Sequence, residues 1–170
     1  MNKAAEYLDL FKQVMPQSRP KLSPERMTEL GMQHELYEFN TDIDGLMNTL
    51  VDEPVYELHP RGATIKGRAA VRLFYERTLH IYQQWDQRKG QQTRKILSIA
   101  YGDCHMAVEV EDDFEFPNGT RKRVQFMVAV EYRNDGKMYG ERLYADQELA
   151  AVIDDALGAD FFDRPDVEVR

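Results

Sequence analysis

Cysteine is nearly missing from this chain: Cys104 is the single one in 170 residues. One thiol excludes an internal disulfide and a thiolate metal cage, so a thiol-reducing compartment, the cytoplasm, is the expected location. No apolar run approaches the ~20 residues that a membrane-spanning helix needs. The opening stretch Met1 to Asp9 breaks its apolar residues with Glu6 and Asp9, which does not suit a secretory leader. Basic residues are in the minority, 22 Lys and Arg against 30 Asp and Glu, and a net charge of −8 repels a phosphate backbone. The one basic cluster, Arg121-Lys122-Arg123, follows a turn signal instead of lining a groove. Neither nucleic acid nor membrane is an expected partner. A Gly-x-Ser-x-Gly elbow and a glycine-rich phosphate loop are also absent, which leaves nucleophilic triads and nucleotide chemistry without support.

What is present suits one globular domain with a sizeable core: 42% of residues are hydrophobic and 11% aromatic. Three regions are expected. Residues 1–22 hold a helix and a proline-rich connector, 23–157 the compact domain, and 158–170 an acidic tail. In the first, Leu8, Phe11 and Met15 fall at helical spacing with Tyr7, Leu10 and Val14 alongside, so this stretch needs a surface to dock on, as a lid or a partner contact. Pro16, Pro20 and Pro24 mark the connector.

Ser23-Pro24 is a cap and first-turn pair for a helix running to about Asn40. Thr41 with Asp44 reads as a capping box for a short helix through Leu46, Met47 and Leu50. A strand follows over Pro54 to His59. A second long helix from Gly67 carries Ala70, Val71, Phe74, Thr78, Ile81, Tyr82 and Trp85 on one stripe. Period-two alternation then marks strands over 95–101, 105–116, 122–132 and 138–145, with Pro117-Asn118-Gly119 and Asn134-Asp135-Gly136 as hairpin turns. Asp146 caps a last short helix. This order predicts an α+β domain in which a curved antiparallel sheet wraps around helices.

Side-chain chemistry is sparse. His34 shares a helical stripe with Met27, Leu30 and Tyr37, so an ionisable group points where apolar ones do. His34-Glu35-Leu36-Tyr37-Glu38 echoes a zinc-protease helix, but its fifth residue is glutamate and no third ligand is placed, so no metal is expected. Alternation sorts Gln125, Met127, Ala129 and Glu131 to a mixed face opposite Val124, Phe126, Val128 and Val130. Glu109, Glu111, Glu131 and Glu141 read as a solvated or interface rim.

The run Glu57-Leu58-His59-Pro60-Arg61-Gly62-Ala63-Thr64-Ile65-Lys66-Gly67-Arg68, with Tyr139-Gly140-Glu141-Arg142-Leu143-Tyr144-Ala145-Asp146 at the last strand, resembles the nuclear transport factor 2-like superfamily. The similarity is to its SnoaL-like polyketide cyclase and ketosteroid isomerase branches, across roughly residues 24–155. It implies a cone-shaped α+β barrel enclosing a cavity for a small apolar molecule, without cofactor, and commonly a homodimer. It also implies isomerase, cyclase or dehydratase chemistry, or a non-catalytic binding module of the same fold. By this resemblance His59 falls on the proton-abstracting carboxylate and His34 on an enolate-stabilising hydroxyl, so both are the expected catalytic residues. Tyr37, Tyr56, Phe74, Tyr75 and Trp85 are expected to line the cavity, with Gln125 as the polar group where the isomerases place a second acid.

Overall fold

The computed structural model describes residues 22–59, 61–86, 94–115 and 119–170; the side chains of residues 82–86, 114 and 115 fall outside that description. The expected N-terminal helix over residues 3–15 lies outside it, as does the Trp85 side chain.

Helix α1 spans Pro24–Phe39, and the Ser23 hydroxyl accepts from the Arg26 amide at 3.2 Å, satisfying one of the amides that a helix start leaves open. The chain then turns at Thr41, a left-handed residue with φ of 52°, into α2, Ile43–Asn48. Its cap is Asp42, not the expected Thr41: the Asp42 carboxylate accepts from the Gly45 amide at 2.8 Å. Strand β1, Val55–His59, pairs antiparallel with β2, Ala63–Lys66, where the sequence had suggested only a turn. Four residues between Gly62 and Gly67 are too few to show alternation, and Ala63, Thr64 and Ile65 are all buried. Helix α3, Gly67–Asp86, follows directly.

Strands β3 (Lys95–Tyr101), β4 (His105–Glu115), β5 (Arg121–Tyr132) and β6 (Met138–Ala145) form the expected antiparallel meander. Asp146 caps α4, Gln147–Leu157, by accepting from the Leu149 amide at 2.8 Å. The expected loose tail is instead ordered structure. Helix α5, Ala159–Phe162, buries Phe161 completely, and β7, Val167–Val169, pairs with β2. Arg77 of α3 holds this end through bonds to the Leu157 carbonyl and to both Asp160 carboxylate oxygens.

The seven strands make one curved, open sheet in the order β3-β4-β5-β6-β1-β2-β7, parallel only where β6 meets β1. Its inner face packs on α1 and α3. Tyr56, Tyr75, Tyr132, Met27, Leu46 and Met138 are among the large side chains buried there. The β6–β1 crossing needs Gly140: its φ is 140°, and a Cβ there would sit 1.8 Å from the Val55 carbonyl oxygen. The same spot carries a bulge, because Val130 faces Glu141 while Tyr132 faces Met138, leaving one extra residue in β6.

Candidate active site

Between α1 and the inner face of the sheet lies a cavity of about 210 Å³. Its walls are apolar: Phe74 from α3, Met106, Val108 and Val110 from β4, and Phe126 and Val128 from β5. Its polar groups are concentrated on α1 and at the far side, where His34, Glu38 and Glu141 meet. Residues 34 and 38 are one helical turn apart and so share a face. Glu141 arrives from β6 only because of the bulge. Met138 and Glu141 are an odd number of residues apart, and regular alternation would turn one of them outward; the extra residue lets both point in. The expectation that Glu141 belongs to a solvated rim is thereby corrected, while Glu109, Glu111 and Glu131 stay off the cavity.

His34 is 3% exposed and hydrogen-bonded at both ring nitrogens. Its Nδ1 lies 2.6 Å from the Thr49 hydroxyl, and that hydroxyl donates its own hydrogen to the Leu46 carbonyl at 2.6 Å. Thr49 therefore accepts, Nδ1 carries the proton, and Nε2 is the acceptor. The Tyr75 hydroxyl, 3.0 Å from Nε2, donates to it, and the Tyr56 hydroxyl in turn lies 2.7 Å from that of Tyr75. A fixed tautomer follows from the backbone carbonyl outward. Burial pushes the His34 imidazole down to about 4, so at neutral pH the ring is uncharged.

The two carboxyls approach Nε2 at 3.6 Å (Glu38) and 3.5 Å (Glu141), with 18% and 17% of each side chain accessible. Burial, and then the Glu35 charge, raises Glu141 to about 7. Burial also raises Glu38 well above the ordinary carboxylate range, followed by the charges of Glu141 and Glu35, against the opposing pull of Arg94 and the Tyr75 hydroxyl. Two such groups beside an uncharged ring favour keeping at least one of them protonated over carrying two charges. The donor atoms of His34, Glu38 and Glu141 all lie within 4.8 Å of one another, close enough for a single cation. The Tyr75 hydroxyl already occupies the Nε2 lone pair, however, so the ring is not open to ligate one.

Arg94 also lines the cavity. It bonds Glu35 of α1, lies 3.4 Å from the buried Asp112 of β4, and has its guanidinium carbon 5.3 Å from the Phe39 ring centroid and 5.8 Å from that of Phe126.

The residues singled out from sequence divide sharply. His34, Tyr56 and Phe74 line the cavity, and Tyr75 supports it from behind through its hydroxyl. His59 does not share the cavity. Tyr56 and Leu58 take the inner face of β1, so His59 falls on the outer one, stacked on Tyr144 at 4.4 Å and 3.2 Å from a Glu57 carboxylate oxygen. Gln125 is likewise on the outer face, exposed and bonded to Glu111 at 3.2 Å. Tyr37 is partly buried against the core, its hydroxyl 3.3 Å from the Gln33 amide nitrogen, and it does not line the cavity. Sequence reasoning missed Glu38, Glu141, Arg94 and Thr49. The one-turn spacing of His34 and Glu38 was a usable signal for the first; the bulge hid the second.

No protein-family model matches the chain, and no curated protein sequence matches it. Solved structures do. A de novo designed protein with a curved β-sheet aligns with a TM-score of 0.59 at 21% identity, over 79% of this chain and 97% of that one. SalBIII, an epoxide hydrolase/cyclase-like enzyme of pyran ring formation in the polyether salinomycin, gives 0.58 at 14% identity, over 86% and 97%. A candidate polyketide cyclase from Xanthomonas campestris pv. campestris gives 0.55 at 19%, over 76% and 98%. One of these is designed and another is an enzyme, so the likeness speaks to architecture. The chain has the cone-shaped α+β fold of the nuclear transport factor 2-like and ketosteroid isomerase-like proteins.

Proposed function

We propose that this chain is an acid/base enzyme for a small, largely apolar, oxygen-bearing molecule, moving a proton by isomerisation, cyclisation or dehydration at the Glu38–Glu141 pair. The observation that carries this reading is the pair itself: two carboxyls and an uncharged, tautomer-fixed imidazole converge on the polar end of an apolar cavity. In this reading Glu141 takes a proton from carbon or oxygen of the substrate and Glu38, protonated, returns one at a neighbouring atom. His34, held by Thr49 and Tyr75, packs an uncharged ring beside both carboxyls. A carboxyl that titrates near neutral pH matches proton affinity to the operating pH, which is where general acid/base catalysis is most effective. Apolar walls exclude competing water.

The test uses the full chain with a panel of β,γ-unsaturated and β-hydroxy cyclic ketones in deuterated buffer. Exchange at the α-carbon is followed by NMR and conjugated enone by absorbance. Turnover should fall by about 10² or more in Glu141→Gln and in Glu38→Gln and persist in His59→Ala. Equal rates in wild type and both glutamine variants would remove the pair from the mechanism. Saturable binding without exchange would favour the non-catalytic binding module. Pairing of two copies through the outer sheet face, where Met127 and Ala129 lie among charged neighbours, is part of the same proposal, checked by light scattering of the purified chain.

A further inference from the structure

The side-chain donors in the cavity wall are turned toward other protein groups. Among the described residues four lining side chains carry an N–H or O–H outside the carboxyls: Thr28, His34, Tyr56 and Arg94. The Thr28 hydroxyl donates to the Pro24 carbonyl at 2.9 Å, so the Tyr101 hydroxyl, 2.7 Å away, donates to it. His34 gives its Nδ1 hydrogen to Thr49. The single hydrogen of Tyr75 goes to His34 Nε2, and the Tyr56 hydroxyl, 2.7 Å from that of Tyr75, is therefore the donor between the two. Arg94 is bonded to Glu35 and Asp112.

The carboxyls are arranged differently. Of the four lining glutamates, Glu35 accepts from Arg94 and Glu57 accepts from His59 at 3.2 Å, whereas Glu38 and Glu141 meet beside the uncharged ring. Burial keeps at least one of that pair protonated near neutral pH, so together they present a carboxyl hydrogen and a carboxylate lone pair. Their oxygens lie within 4.8 Å of each other, a gap that one hydroxyl oxygen bridges with two bonds of about 2.7 Å. A hydroxyl answers both groups, accepting from the first while donating to the second. A ketone or an ether answers one of them: it accepts the carboxyl hydrogen and leaves the ionised oxygen among apolar walls with nothing in place of its lost water. A site built to bond a hydroxyl rejects the analogue lacking it far more strongly than an apolar pocket rejects a change of size.

We propose that the ligand of this cavity is an alcohol whose hydroxyl sits between Glu38 and Glu141, accepting from the first and donating to the second, with its hydrocarbon body against Phe74, Phe126 and Val128. This rests on the acid/base reading of the pair and narrows its substrates to those that carry a hydroxyl. Menthol, menthone and menthyl methyl ether share one hydrocarbon frame and differ at their single oxygen, and their dissociation constants for the full chain are measured by ligand-observed NMR. Menthol should bind about tenfold more tightly than either analogue. In Glu141→Gln, where an amide supplies donors in place of the carboxylate, that preference should shrink to about threefold or less. Menthone or the ether binding as tightly as menthol, no saturable binding of menthol, or an undiminished preference in Glu141→Gln would overturn the proposal. The ligand series on the unaltered chain decides it even where the variant does not fold. Failure of the acid/base reading shows elsewhere: turnover retained in both glutamine variants removes that chemistry while a menthol preference still assigns the ligand class, and a menthone preference with turnover lost does the reverse.

Discussion

Glu141 and His34 illustrate how one side chain's surroundings set the pH behaviour of the whole. An uncharged carboxyl is favoured in the fold, where Glu141 titrates at about 7 against an ordinary 4.5. Between those values the folded state holds a proton that the unfolded chain has released, so this group's contribution to stability falls as pH rises from about 4.5 to 7 and is level above. His34 acts in the opposite sense: with the folded value at about 4 against 6.5, the unfolded chain binds the extra proton, and stability rises with pH across that range. Glu38, raised in the same direction as Glu141, adds to the fall. Replacing Glu141 removes its share, so the stability of Glu141→Gln relative to wild type should grow from pH 4.5 to 7 in urea denaturation and then level off; a difference that does not change with pH would contradict it. Thr49→Val should cost about 1–3 kcal/mol by the same assay, because it strands the buried Nδ1–H of His34 without an acceptor. At this scale the sequence was readable where periodicity is regular. The α1 stripe placed His34 correctly, and strand alternation had already sorted Gln125 away from Val124 and Phe126, against its assignment to the cavity. His59 was held extended by Pro60 as expected, but extension alone does not choose a face, and the parity of Tyr56 and Leu58 decides it.

Elements carry the features that no single residue shows. The β6 bulge at Gly140 brings Glu141 into the cavity and lets β6 run beside β1, with backbone closer than any side chain allows. Gly140→Ala should therefore destabilise by several kcal/mol or abolish soluble expression. Gly119→Ala, with nothing within 4 Å of its new Cβ, should cost only about 1 kcal/mol for its φ of 81°. Thermal melts of the two side by side decide the matter, and equal losses would discount the close approach. A bulge is a pairing event between two strands, invisible in the β6 sequence alone. The C-terminal elements were illegible for a related reason: Phe161 and Val167 are isolated apolar residues in an acidic stretch, and they gain meaning only from α3 and β2, far away in the chain. Phe161→Ala should cost about 3–5 kcal/mol as a core cavity, whereas a loose tail would lose nothing measurable.

The molecule as a whole is an open, curved sheet folded around two long helices, with an apolar hollow in whose wall the described residues place the His34–Glu38–Glu141 cluster and the Arg94–Glu35 pair. Its architecture was legible from element order, because a strand, a helix and a four-stranded meander leave few unknotted arrangements. The cluster was only half legible, since its members come from elements about a hundred residues apart. Carbon-detected NMR titration of the glutamate side-chain carboxyls in the full chain tests the central claim most directly. The account predicts a carboxyl titrating near 7 that is absent from the spectrum of Glu141→Gln, and a second, Glu38, above the ordinary carboxylate range. If every glutamate in the wild-type chain titrates between about 3 and 5, neither carboxyl holds a proton near neutral pH and the proposed chemistry has no place to occur.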